Sequence, residues 1–242
     1  MNKKRFLATA LTLVLLVVAG CSSKSATADE VLEKAKGAAN KVETVRLKNE
    51  ITQVDTQGGT TNQLMEADLM YDLGTKEIKK GKGSISYKTE NSEEDAQIKF
   101  TFVGDPDHTF IQEISQNGEV KREEATGPSY EIAPEYFTLL DILYSIKGDL
   151  EVTEESDGYH LKLSNKDMEL IPLFAQSYNL RLSGVEESEV EKEFEAVFEK
   201  DTFFFKELKF LIKYDGDKGK FELGNHTMFS EWNSLDIDVE NK

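Results

Sequence analysis

From Val45 onward, apolar side chains recur at every second position in run after run, and that period commits most of the chain to β-strands. Val45, Leu47, Asn49 and Ile51 alternate with Arg46, Lys48, Glu50 and Thr52. Gln57-Gly58-Gly59-Thr60 supplies a turn, and Met65, Ala67, Leu69, Tyr71 and Leu73 carry the alternation back, which predicts a hairpin. Ile85 with Tyr87, then Ile98, Phe100 and Phe102, then Phe110, Gln112 and Ile114, each mark one face of a further strand. Turn residues at 91–95, Gly104-Asp105-Pro106-Asp107 and Gln116-Asn117-Gly118 separate them, so an antiparallel meander is the simplest topology.

Three segments break the period. Thr27 or Asp29 caps a helix running to Val42, with Val31, Leu32, Ala35, Ala38, Ala39 and Val42 on one side at three-and-four spacing. From Pro134 to Ile146 the chain is apolar almost all round, which predicts a helix buried on more than one side and too short to cross a membrane. Met168 to Tyr178 is a second short apolar segment, in which Pro172 disfavours a continuous helix unless it falls in the first turn. Leu150 and Val152, then Tyr159, Leu161 and Leu163, predict a hairpin about Asp157-Gly158. Residues 189–199 fit either period, and the turn at Glu199-Lys200-Asp201-Thr202 with the alternation of Leu208, Phe210, Ile212 and Tyr214 favours a strand. Phe203-Phe204-Phe205 breaks the alternation, which suggests a bulge or a strand buried on both faces. A hairpin closes through Asp215-Gly216-Asp217 to residues 220–223, and the acidic tail from Trp232 adds an edge strand or frays.

Acidic residues outnumber basic ones by 46 to 29, and the net charge of −17 opposes association with nucleic acid, which needs Lys and Arg to replace its counterions. The single cysteine, Cys21, leaves no disulfide, so a hydrophobic core must hold the fold. Lys3, Lys4 and Arg5 precede an apolar run from Phe6 to Val18, a pattern shorter than a membrane span and ended by small residues, as in a cleaved export signal. Val18-Ala19-Gly20-Cys21 resembles the lipobox of bacterial lipoproteins. That resemblance implies cleavage between Gly20 and Cys21, diacylglycerol on the Cys21 sulfur, and a mature protein three units more negative than the whole chain. Two or more acyl chains hold a protein at a bilayer stably where one holds it marginally. The expected organisation is a signal peptide over 1–20, a lipidated N-terminus and flexible tether over 21–28, and one domain over 29–242. The expected place is the outer face of a cell membrane, in a Gram-positive bacterium.

The order of elements, one amphipathic helix flowing into strands, then the Pro134 to Ile146 helix, then strands around Glu199-Lys200-Asp201-Thr202-Phe203, resembles the LolA-type and mycobacterial LppX-type lipoprotein carriers. The resemblance covers most of residues 29–230 and contains no short diagnostic motif. It implies an α+β fold, a curled antiparallel sheet forming a half-open barrel with helices packed in its concave face, and acyl chains in the space between. Phe137, Leu140, Leu143 and Tyr144, with Ile142, cannot all be hidden by one sheet face, and they are the expected lining of an apolar cavity or, alternatively, plain core.

No catalytic constellation is present. His108, His160 and His226 are far apart, without ligand spacing beside them, and are expected on turns or strands. Gly58-Gly59 and Gly81-Lys82-Gly83 lack the setting of a phosphate loop and predict bends. Asp215-Gly216-Asp217 and Asp105-Pro106-Asp107 lack the ligand count of a calcium loop. The run Glu186 to Glu195 predicts a solvated face. The sequence therefore points away from an enzyme, a cofactor and a metal. It points to a lipid-anchored binder of an apolar or lipid ligand, with a scaffold that meets a protein partner through its acidic surface as the alternative.

Overall fold

The computed structural model describes residues 26–55, 58–90, 96–104, 109–116, 118–126, 132–178 and 185–239. Gly20, Cys21, His108, and the turn residues 91–95, 105–107, 117 and 127–128 lie outside them.

Helix α1 (Ala28–Ala39) starts where the sequence places it, because Thr27 and Glu30 cap each other's backbone N–H groups reciprocally. It ends three residues short of Val42. Six strands then follow: β1 (Thr44–Val54), β2 (Thr60–Tyr71), β3 (Ile78–Thr89), β4 (Ala96–Val103), β5 (Thr109–Gln116) and β6 (Glu119–Thr126). Helix α2 (Tyr136–Ser145), strands β7 (Leu150–Glu154) and β8 (Tyr159–Leu163), and helix α3 (Ile171–Tyr178) come next. Strands β9 (Glu191–Phe198), β10 (Phe205–Gly216) and β11 (Gly219–Ser230) complete the order.

The eleven strands among the described residues form one antiparallel sheet in the order β6-β5-β4-β3-β2-β1-β11-β10-β9-β8-β7. Two meanders meet where β1 pairs with β11, Leu47 opposite Phe229, and the outer strands β6 and β7 do not pair with each other. The sheet is therefore open, the α+β half-open architecture expected. One face carries the core, since Val45, Leu47, Met65, Ala67, Leu69, Leu208, Phe210 and Phe229 are buried at alternate positions and the three helices lie against that face. Among the described residues no helix is long and apolar enough to cross a membrane.

Three expectations are corrected and one strand is added. Gly81 and Gly83 lie inside β3 rather than at bends, and a Cβ on Gly83 would stand 2.3 Å from the Glu66 carbonyl and 2.8 Å from the Phe100 ring, so the close packing of neighbours requires glycine. Strand β6 escaped notice because its EVKREEAT sequence has almost no apolar alternation; it is an exposed, charged edge. The last strand runs on to Ser230 rather than ending near Leu223, and the tail from Trp232 to Val239 forms no strand, although Ile237 is buried. The acidic run is not wholly solvated: Glu187 and Lys192 form an ion pair at 3.5 Å with side chains only 10 % and 7 % exposed.

Other expectations hold. Pro172 sits in the first turn of α3, residues 191–198 form a strand, and the pairing of β9 with β10 shifts register after Phe205. Phe203, just before it, adopts a left-handed backbone.

Candidate functional site

Helix α2 is placed by its own cap. Glu135 accepts the backbone N–H groups of Phe137 and Thr138 at 3.2 and 3.1 Å and the Thr138 hydroxyl at 2.6 Å. Its next residue, Tyr136, is fully buried: the hydroxyl accepts the Phe205 N–H at 3.2 Å, and the ring meets Phe229 edge-on at 5.0 Å. Phe137 meets Tyr71 edge-on at 4.9 Å. Helix α3 lays Phe174 and Tyr178 on Phe210 at 5.7 and 5.0 Å. These ring contacts of the helices fall on β2, β10 and β11, with Phe194 of β9 5.9 Å from Phe174.

The sequence-predicted lining residues are brought together on α2 and occupy two environments. Phe137, Leu140 and Leu143 are 7 %, 3 % and 0 % exposed, inside the packed interior. Tyr144 faces α1: its hydroxyl donates to Glu33, and Lys36 and Lys147 sit over its ring at 4.3 Å each. None of the four lines the larger described hollow, a groove of about 650 Å³ bordered by Glu50, Thr52, Lys162, Glu195, Lys209 and His226. Those positions alternate with the core positions, so the groove lies on the outer face of the sheet, and its rim is charged.

The concave face carries a further apolar strip. Strand pairing aligns Thr227, Asn49, Met65, Ile85, Ile98 and Ile114 in one row across β11, β1, β2, β3, β4 and β5. The neighbouring row carries Ile51 and Tyr87. Met65 is buried, whereas Ile51, Ile85, Tyr87, Ile98 and Ile114 are only partly covered. A hollow of about 330 Å³ lies at the β5–β6 end of this face, lined by Phe110, Gln112, Glu123, Glu124 and Ala125. Phe110 stacks on Phe100 there at 5.7 Å.

At the inner end of the strip sits an uncharged polar cluster. Asn225 Nδ2 donates to Asn49 Oδ1 at 2.7 Å, the Thr227 hydroxyl donates to the same oxygen at 2.8 Å, and Tyr178 shares a 2.8 Å hydrogen bond with Thr227. Burial pushes the Tyr178 phenol well above its usual range, so it stays neutral. The alternation had shown which residues share this face. It had not shown that the strip is only partly covered, because that depends on where distant segments dock.

His160 and His226 stand on strands β8 and β11, as expected, but not alone. His160 is nine-tenths buried, with Asp157 3.0 Å from Nε2 and Glu195 3.0 Å from Nδ1. The signal Asp157-x-x-His160 was present in the sequence; Glu195, on the next strand, carried none. Burial opposes charge on His160, and the bonds from Asp157 and Glu195 outweigh it, raising the imidazole above its ordinary range. His226 reaches Glu207 at 2.5 Å, with Glu50 at 3.7 Å on the other side.

No family model matches the chain, and no curated protein matches it. Two solved structures are similar in outline. One is a LolA superfamily protein from Nitrosomonas europaea, at 9 % identity over 88 % of this chain and 96 % of that one, with a TM-score of 0.26. The other is a DUF1329 family protein from Desulfovibrio piger, at 8 % identity over 87 % of this chain and 94 % of that one, with a TM-score of 0.27. The fold stated above rests on the strand pairing and on neither likeness.

Proposed function

We propose that this chain is a lipoprotein, anchored through diacylglycerol on Cys21 to the outer face of a cell membrane, whose concave sheet face binds an apolar or lipid ligand. The observation that carries the binding is the partly covered strip of Ile51, Ile85, Tyr87, Ile98 and Ile114 on the sheet face that carries the core. A concave apolar face that is only partly covered has the makings of a site for an apolar chain. Each methylene it covers contributes about 0.8 kcal/mol. At its inner end the strip is closed by Asn49, Asn225, Thr227 and Tyr178, which are buried and bonded to one another. The anchor is supported by Gly20-Cys21 and by the short stretch from there to Ala28, at most about 3.5 Å per residue.

Two measurements test the halves separately. Cells grown with labelled palmitate are expected to label the protein in the membrane fraction, and Cys21→Ala to lose both label and fractionation; label retained by Cys21→Ala contradicts the anchor. A fluorescent polyene fatty acid is expected to brighten on the purified protein and to be displaced by phospholipid. An unchanged signal contradicts the ligand and moves the search to protein partners of the acidic surface.

A further inference from the structure

The β7–β8 hairpin gathers metal-ligating groups that the proposed ligand does not use. Oxygen atoms of Glu155 and Asp157 and a ring nitrogen of His160 lie within 4.8 Å of one another. We infer that this hairpin carries a binding site for a first-row divalent cation of the zinc type, with Glu155, Asp157 and His160 as ligands and Glu195 as the residue that orients the histidine.

Four features carry the inference. The hairpin conformation is fixed, since the Glu155 N–H donates to the Gly158 carbonyl at 2.9 Å and Gly158 lies so close to β9 that a Cβ would stand 2.4 Å from the Phe198 carbonyl. The imidazole is fixed too: the His160 side chain is 10 % exposed, and Glu195 Oε1 lies 3.0 Å from Nδ1. A carboxylate on one ring nitrogen sets the tautomer that offers the other to a metal, the usual outer-shell arrangement of metal-binding histidines. The other nitrogen, Nε2, is the one that faces Asp157 at 3.0 Å. Finally, Glu155 and the 52 % exposed Asp157 side chain are open to solvent, so a cation has a route in and the carboxylates have room to rotate onto it.

Donor chemistry selects the ion. Calcium and magnesium prefer all-oxygen sets, and an imidazole beside two carboxylates favours zinc and its first-row neighbours. Zinc at about 2.0–2.2 Å from each donor holds tetrahedral ligands roughly 3.4 Å apart, with water in the remaining position; Asp157 and Nε2, now 3.0 Å apart, would open slightly, within a cluster whose atoms all lie within 4.8 Å. The surrounding cations do not fill the place. Lys162 is bonded to Glu195 at 3.1 Å, Lys200 to Glu154 at 3.0 Å, and Lys206 acts on Asp157 only through space. A bound ion would clip the outermost hairpin of the sheet and, through His160 and Glu195, tie it to β9.

Calorimetric titration of the chelator-stripped protein with zinc chloride, and separately with calcium chloride, tests this. One zinc ion per chain is expected, with a rise in melting temperature, and calcium far weaker. His160→Gln and Asp157→Asn should each abolish zinc binding or weaken it by at least tenfold, and Glu195→Gln should weaken it by about 10- to 100-fold. His226→Gln, which alters the other carboxylate-flanked histidine, should leave it unchanged. Absence of zinc binding, equal binding by Asp157→Asn and wild type, or loss only in His226→Gln overturns the site. Circular dichroism identifies a His160→Gln protein that has failed to fold, in which case the exposed Asp157→Asn change decides between the outcomes.

Discussion

Glu135 makes the head of α2 sensitive to pH. Burial raises its carboxyl above the ordinary 4.5, and the bonds it receives from Thr138, Phe137 and Tyr71 only partly offset this. A carboxyl raised in the folded state contributes stability that is full below its unfolded pKa and is lost as pH rises through the folded value. Urea unfolding at pH 4.5 and pH 7 is therefore expected to show Glu135→Gln gaining on wild type as pH rises; a constant difference, or one of opposite sign, contradicts this. Leu143, fully buried, is expected to lose about 2–5 kcal/mol on change to Ala by the same measurement, since a cavity remains where the chain cannot collapse. That α2 is buried was legible from its apolar circumference. What each residue touches was not: Tyr144 is held by Glu33 and Lys36 of α1, a meeting of segments far apart in sequence that no local pattern encodes.

Among the elements, α3 depends on a cap supplied from elsewhere. Glu187 accepts the Leu170 N–H at 2.5 Å and the Ile171 N–H at 3.1 Å, and Lys192, beside it at 3.5 Å, donates to the Met168 carbonyl at 2.6 Å. Removing one partner of a buried ion pair strands the other, so Glu187→Ala is expected to cost about 3–5 kcal/mol in equilibrium unfolding. The double change Glu187→Leu with Lys192→Met removes the stranded charge but leaves the Leu170 and Ile171 N–H groups uncapped, so it should recover only part of that loss; a double variant as stable as wild type would show that α3 does not depend on the cap. In the sequence this pair looked like part of a solvated acidic run, because charge alone does not reveal a folded-back segment. Strands β1, β2, β5 and β10 were legible because one face is apolar. Strand β6 was not, since neither of its faces is buried enough to select a pattern.

For the whole molecule, the pairing of β1 with β11 decides the shape. It joins the two meanders into one open sheet, and the described helix ring contacts with the sheet fall on strands β2 and β9 to β11, while the apolar row through β3, β4 and β5 is partly covered. Alternation alone could place Ile85, Ile98 and Ile114 on one face, but only the tertiary arrangement shows that they stay partly covered there. The proposed binding function turns on whether this strip holds a ligand. Native mass spectrometry with lipid extraction, on the protein from Ser22 onward purified without detergent, is the sharpest test. A copurified or added lipid is expected on the wild-type protein, and its loss when Ile85→Asp and Ile98→Asp are combined in a variant that keeps its circular dichroism spectrum. A bare polypeptide mass that takes up neither fatty acid nor phospholipid, or lipid retained by that variant, would contradict it.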